Sequence, residues 1–200
     1  ELVKKINEHR GQIKVNSDVK INDKGTTING NKFDRILFTG ASKEIDYLGA
    51  VCVVFTSIQS LSKFYWHNIN DVKSPFLAFI QHTNMIDKKQ YGGKHVYYMG
   101  TYVPNDGDLM KKSDERIKQE FFDYLKIIFP KFEEKEIEEN WVFKFKNAQH
   151  IVRKNYKTPN TKLQKNIYVA NFAQIYPEDR GTNFAVREGN KIADIIDANV

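Results

Sequence analysis

YPEDRGTNFAVREGNKIAD, residues 176–194, decides how this chain is read. An acidic-then-basic turn, Glu178-Asp179-Arg180-Gly181, precedes a helical pattern with Ala185, Gly189 and Ala193 along one side. A glycine inside a helix costs about 1 kcal/mol against alanine. The pattern implies that something wants the backbone bare there. A helix start near Thr182 offers unpaired N–H groups and the positive end of the helix dipole. Both suit phosphate or a developing anion. Gly181 would let a ligand approach the chain closely, and Arg180 could pair with phosphate or carboxylate. The structural alternative is a helix packed by small residues, with Arg180 bridging Glu178 or Asp179. On spacing alone that alternative is the simpler one.

Upstream of this turn, NIYVANF (166–172) reads as a strand, and residues 153–166, polar and containing Pro159, as a loop. WVFKFK (141–146) alternates, with Trp141, Phe143 and Phe145 on one face, so it reads as another strand. Residues 114–129 carry Ile117, Phe121, Leu125 and Ile128 at spacings of three and four, which predicts a helix. Ser113 is its expected N-cap and Pro130 its stop. A shorter acidic helix is expected over residues 133–139. The aromatic-rich runs 76–82 and 95–103, bounded by Pro75, Gly92-Gly93 and Pro104, read as neighbouring strands, and 50–56 as a buried one. Toward the start, residues 1–9 predict the end of a helix with Leu2, Val3 and Ile6 on one side and Gly11 as its stop. Residues 12–16, 19–22 (with Val19 and Ile21), 26–30 and 33–39 predict short strands, with turns at Asp23-Lys24-Gly25 and Asn29-Gly30.

The 200 residues suffice for one large domain or two small ones. No apolar run approaches the roughly 18 residues that a membrane span needs. The net charge of +6 suggests nucleic acid. The lysines, however, are scattered and interleaved with acids, as in residues 131–139, and nucleic-acid binding is not expected. One cysteine, Cys52, excludes an internal disulfide framework and fits a reducing, cytoplasmic setting. The chain opens at Glu1 and runs straight into a helical pattern, which reads as a fragment or a processed product.

Several chemistries find little support. No two of the five histidines (His9, His67, His82, His95, His150) have metal-ligand spacing, so no metal is expected. No G-x-S-x-G elbow is present, and Cys52 lies in the apolar run AVCVVF without an activating base. No G-x-G-x-x-G follows a strand, and Gly92-Gly93 reads as a turn. His150 reads either as a catalytic residue or as an ordinary polar residue beside a strand.

The order of these segments resembles FAD-dependent oxidoreductases of the amine oxidase and protoporphyrinogen oxidase type. Residues 166–196 are similar to that family's closing strand, crossing and glycine-bearing helix. Residues 1–41 are similar to its middle segment, with Gly11, Val19, Asp34, Ile36 and Thr39 in the matching places. YWHNIND, SPFLAFIQHTN and YGGKHVYYMGTYVP resemble bacterial members, some related to sugar or glycolipid pathways. The family's glycine and acid at the closing strand end are Ala170-Asn171 here, and its amino-terminal Gly-rich βαβ unit is not in these residues.

The resemblance implies an α+β fold. Residues 45–160 would form a substrate-binding domain, a mixed or antiparallel sheet with flanking helices. Residues 1–44 (helix end and β-meander) and 161–200 (strand and helix) would be parts of a Rossmann-like FAD domain. FAD would belong to the full-length protein and be absent from this chain, which alone would be inactive. Asn171, Arg180, Gly181, Thr182 and Asn183 would touch the cofactor. Tyr98, Tyr102 and His150 would line the cavity of a small-molecule substrate, sugar or glycolipid related. The competing expectation is a flavin-free module for an anionic sugar or glycolipid, motivated by Tyr97, Tyr98, Tyr102 and the basic balance.

Overall fold

In the structure, a computed structural model, residues 1–19 and 27–198 are described. The expected turn at Asp23-Lys24-Gly25 and the strand residue Ile21 lie outside them. The chain divides into two compact units: Glu1–Gly40 with Lys157–Val200, and Ala41–Tyr156. The expected divisions stood at 44/45 and 160/161.

The first unit opens with α1 (Leu2–Glu8), whose side chains are all exposed. Residues 12–16, expected as a strand, are irregular: among the described residues they meet no partner to complete a ladder. β1 (Thr27–Ile28) and β2 (Asn31–Lys32) form a hairpin through Asn29-Gly30, at φ 50° and 82°. Two successive left-handed residues are what a two-residue hairpin requires, and Asn-Gly supplies them at low steric cost. β3 (Ile36–Phe38) follows.

The second unit begins with the long β4 (Tyr47–Ser57). β5 (Trp66–Asn68), β6 (Ala78–Gln81) and β7 (His95–Pro104) come next. The Gly92-Gly93 turn before β7 takes φ 65° and 83°. The short α2 (Asp108–Lys111), α3 (Asp114–Ile128) and β8 (Ile137–His150) complete it. The five strands form one antiparallel sheet in the order β5-β6-β7-β4-β8.

α3 forms where the periodicity places it, and the Ser113 hydroxyl accepts from the Arg116 N–H as its N-cap. Ile117, Phe121, Phe122 and Leu125 pack on Val51, Val53 and Phe55 of β4, with Phe76, Phe79, Tyr97 and Met99. Each such side chain contributes about 1.5–3 kcal/mol by leaving water. The acidic stretch is not a helix: Glu134–Glu136 make one 3-10 turn, and Ile137 already pairs with Ser57 in β8. Only Ile137 is apolar there, so no stripe exists to bury and the ladder with β4 wins.

Returning to the first unit, β9 (Lys162–Gln164) and β10 (Ile167–Val169) are followed by α4 (Thr182–Asp197). β9 lies where a loop was expected. All three of its side chains are exposed, so backbone pairing with β10 makes it a strand and no apolar period marks it. β10 also pairs parallel with β3, Ile167 opposite Ile36 and Val169 opposite Phe38. Strands more than a hundred residues apart in the chain thus share one ladder. Tyr168, Val169, Ala173, Ile175, Ile36 and Ile192 form the buried centre of this unit.

Candidate functional site

The first unit carries the strand–crossing–helix arrangement. After β10 the chain makes a 3-10 turn, Phe172–Gln174, in a reciprocal cap. The Asn171 side-chain oxygen accepts from Ala173 N–H (3.0 Å), and Gln174 Oε1 accepts from Asn171 N–H (2.9 Å). Asn171 Nδ2 donates to the Gly40 carbonyl (3.0 Å), tying this loop to the end of the β3 segment. Its amide is therefore engaged in holding the loop.

α4 has Gly181 as its N-cap residue, so no N-cap side chain caps its leading N–H groups, and its first turn holds no acidic residue. Thr182 and Asn183 are exposed and Gly181 half-buried. A Cβ at Gly181 would meet Asn183 Oδ1 at 2.6 Å, so the glycine makes room for the asparagine side chain. Arg180 is half-buried, and burial lowers its pKa below the ordinary guanidinium value. The Glu178 carboxylate is taken by Arg187, two contacts at 2.7 and 2.5 Å, and that guanidinium also lies 4.8 Å from the Phe184 ring centre. The sequence reading missed Arg187. Its nine-residue separation from Glu178 across the turn follows no local spacing rule.

Beside α4 lies an apolar groove of about 280 Å³. Leu37, Ala170 and Ile175 form one side, Phe184, Ala185 and Gly189 the other. A Cβ at Gly189 would meet nothing within 4 Å. Two of the three small residues therefore border open space, whereas Ala193 is exposed away from it.

In the second unit, the sheet face opposite α3 is aromatic and open. Residues directly opposite in an antiparallel ladder share a face. The registers make successive rows: Ile80–Tyr98–Val54–Trp141, then Ala78–Gly100–Cys52–Phe143, then Tyr102–Ala50–Phe145. Trp141, Phe143 and Phe145 are 42–53 % exposed, and the last two stack at 6.2 Å. The expected strand face is thus one face, and it points to solvent. Burial pushes the Cys52 thiol up to about 11 and raises the Tyr98 hydroxyl above its usual value. Neither is an ionised group at neutral pH. These three rows carry no charged side chain, so they suit contact with apolar or ring-bearing groups.

The structure brings Tyr98 and Tyr102 onto this face. His150 is elsewhere, buried at the last residue of β8 with its ring 5.9 Å from that of Tyr156. Among the described residues, no group of three His, Cys, Asp or Glu could hold a metal ion, and no helix is long and apolar enough to cross a membrane.

Two solved structures share this architecture. One is a candidate protoporphyrinogen oxidase from Exiguobacterium sp. 255-15, with TM-score 0.59 and 13% identity, over 78% of this chain and 40% of that one. The other is an oxidoreductase from Methanosarcina mazei, with TM-score 0.51 and 13% identity, over 78% of this chain and 42% of that one. No protein-family model matches the chain, and no curated protein does. At this identity the likeness shows the fold alone: an α+β chain similar to oxidoreductase structures. The chain spans about two fifths of the length of each.

Proposed function

We propose that this chain is the substrate-binding and carboxyl-terminal part of a flavin-dependent oxidoreductase of the amine oxidase type. The observation that carries the reading is the parallel pairing of β3 with β10, two strands separated by the whole second unit, with the α4 N-terminus one crossing loop beyond. A nucleotide-binding sheet interrupted by an inserted substrate domain has this organisation. Among the described residues β3 pairs on one edge only, which suits the addition of a further parallel strand from a Gly-rich βαβ unit.

The residues present fit a flavin. The leading amides of α4, at Thr182 and Asn183, receive no N-cap side chain and favour an electron-rich or anionic group. Arg180 and Gly181 border the same helix start, and the groove along Ala185 and Gly189 admits a flat apolar body. Asn171 holds the crossing loop in place through Gly40. When bound, the flavin would supply the two-electron redox chemistry, while this chain supplies orientation and field. On the substrate side, Tyr98 and Tyr102 would hold a small molecule by ring contact, with the Trp141–Phe145 strand excluding water around it.

The test is to produce the protein with its native upstream coding sequence. A yellow product that releases stoichiometric FAD on denaturation is expected, whereas the 200-residue chain alone should hold FAD weakly or not at all. A colourless product that takes up no FAD on reconstitution would overturn the reading.

A further inference from the structure

The open end of the β7–β4–β8 strands carries a device that the flavin reading does not use. β8 bulges between Phe145 and Gln149, so that Leu48 pairs with Gln149 and Ala50 with Phe145. Within the bulge Asn147 takes φ 55°, a left-handed conformation that costs a non-glycine residue roughly 1 kcal/mol or more. Asn105, just past β7, holds it there with two hydrogen bonds. Asn105 Oδ1 accepts from Asn147 N–H (3.0 Å) and Asn105 Nδ2 donates to Asn147 Oδ1 (2.9 Å). Asn105 also donates to the Tyr47 carbonyl (3.2 Å). A Cβ at Gly49 would meet Asn105 Oδ1 at 3.1 Å and the Phe145 carbonyl at 3.0 Å, so a side chain there would push the clamp outward by a few tenths of an ångström. Bulges of this kind re-aim side chains next to sites.

Two adjoining cavities flank the clamp, of about 530 and 450 Å³, and Asn105 and Asp106 stand in the walls of both. Their volumes fall in the range of small-molecule sites. The charges around them are uneven. Arg153 is paired with Asp46 (2.8 Å), and Lys144 with Asp114 (3.0 Å) and the Lys112 carbonyl (2.6 Å). Lys43 lines the first cavity, Lys111 and Lys146 line the second, and none of the three makes an ion pair among the described residues. Across the two cavities these three cations stand against one carboxylate, Asp106, which lies in both walls and leaves an excess of +2 over the pair. A phosphate monoester carries about −1.5 to −2 at neutral pH. Lysines bind such a group as point charges, while a lone carboxylate can accept hydrogen bonds from hydroxyl groups on the ester.

We propose that this clamped cleft binds a small organic phosphate bearing neighbouring hydroxyl groups, with Lys111 and Lys146 holding the phosphate, Lys43 adding positive charge from the adjoining cavity, and Asp106 holding the hydroxyls. The site lies within the second unit and does not depend on the chain carrying a flavin.

The experiment is a titration of the full 200-residue chain followed by amide NMR shifts, with glycerol 3-phosphate, inorganic phosphate, glycerate and glycerol as separate probes. Saturable shifts centred on Asn105, Asp106 and Asn147 are expected with glycerol 3-phosphate, at least about tenfold tighter than with inorganic phosphate or glycerate; each 1.4 kcal/mol is tenfold. Glycerol should not saturate. The double variant Lys111→Ala with Lys146→Ala should weaken glycerol 3-phosphate by at least about tenfold, while Lys14→Ala, an exposed lysine of the other unit, leaves it unchanged. Asp106→Asn should tighten inorganic phosphate by lifting the repulsion, yet narrow the preference for glycerol 3-phosphate. Lys14, Lys111, Lys146 and Asp106 are all exposed, so the variants should fold as the parent does. Shifts spread over lysines of both units, or equal affinity in the double variant, would overturn the site. Glycerate binding as tightly as glycerol 3-phosphate would overturn the phosphate assignment.

Discussion

α3 and α4 are nearly equal in length, 15 and 16 residues, and both carry an apolar period, yet they sit in the two units on different terms. α3 buries Ile117, Phe121, Phe122 and Leu125, whereas α4 buries only Ile192. The difference lies in what each helix meets. α3 meets a five-stranded sheet whose facing residues are Val, Phe, Tyr and Met. α4 lies in a unit of three short strands, and its small residues border a groove. Helical periodicity therefore reports a capacity to bury, and the partner decides how much of it is used. In the second unit it becomes stability. In the first it leaves a shaped surface beside uncapped amides, which suits ligand contact.

The largest effect that could break this contrast is a core truncation. Phe121→Ala should cost about 3–5 kcal/mol, since a fully buried ring in a dense aromatic cluster leaves a cavity. On α4, Val186→Ala should stay within about 0.5 kcal/mol, because Val186 is 60% exposed. Urea unfolding of both variants measures the pair. A loss at Val186 comparable with that at Phe121 would mean that α4 is covered in solution, and the contrast would fail.

A smaller test concerns the glycine that opened the sequence reading. Gly189 lies inside α4 with open space where its Cβ would be, so Gly189→Ala should stabilise the chain by about 1 kcal/mol. If the groove accepts a flat ligand, the added methyl should also weaken that ligand. Ser113→Ala points the other way: it removes the α3 cap and should cost about 1 kcal/mol. Thermal unfolding resolves both signs, and a destabilising Gly189→Ala in the isolated chain would show the groove to be filled already.

The legible parts of the molecule were those with a strong local signal. α3 was readable from Ser113, its three-and-four spacing and Pro130. β7 and β6 were readable as neighbours from aromatic runs between glycine and proline breaks. β9 was not, because Lys162, Leu163 and Gln164 are all exposed and only the ladder with β10 defines them. Trp141, Phe143 and Phe145 were placed on one face, but nothing local shows whether that face is core or open; the register with β4 decides it. Of the candidate site, the α4 start was visible as Arg180-Gly181-Thr182. The Asn105–Asn147 clamp was not, since it joins residues 42 apart through a bulge that no short motif announces.

The smallest expected effects are in pH dependence, and they contrast the two faces of the same sheet. His95 lies on the core side, its Nδ1 2.8 Å from Thr83 Oγ1, and burial first, then nearby Lys88, lowers its pKa below the ordinary value. The fold thus favours the neutral ring. Its contribution is complete above the unfolded pKa, about 6.5, and is lost as pH falls through the folded value. His95→Gln should therefore flatten the fall in unfolding free energy as pH drops below the unfolded value of about 6.5. Cys52, on the open face, behaves oppositely. Its pKa is raised to about 11, so the folded state disfavours the thiolate and loses stability as pH rises past the unfolded thiol value of about 8.5. Thiol labelling of the folded chain should stay slow at pH 8 and accelerate only as pH approaches 11. Rapid labelling at pH 8 with the core intact would mean that the aromatic face admits water more freely than its neighbours Phe143 and Tyr98 allow, and the apolar character assigned to that face would have to be given up.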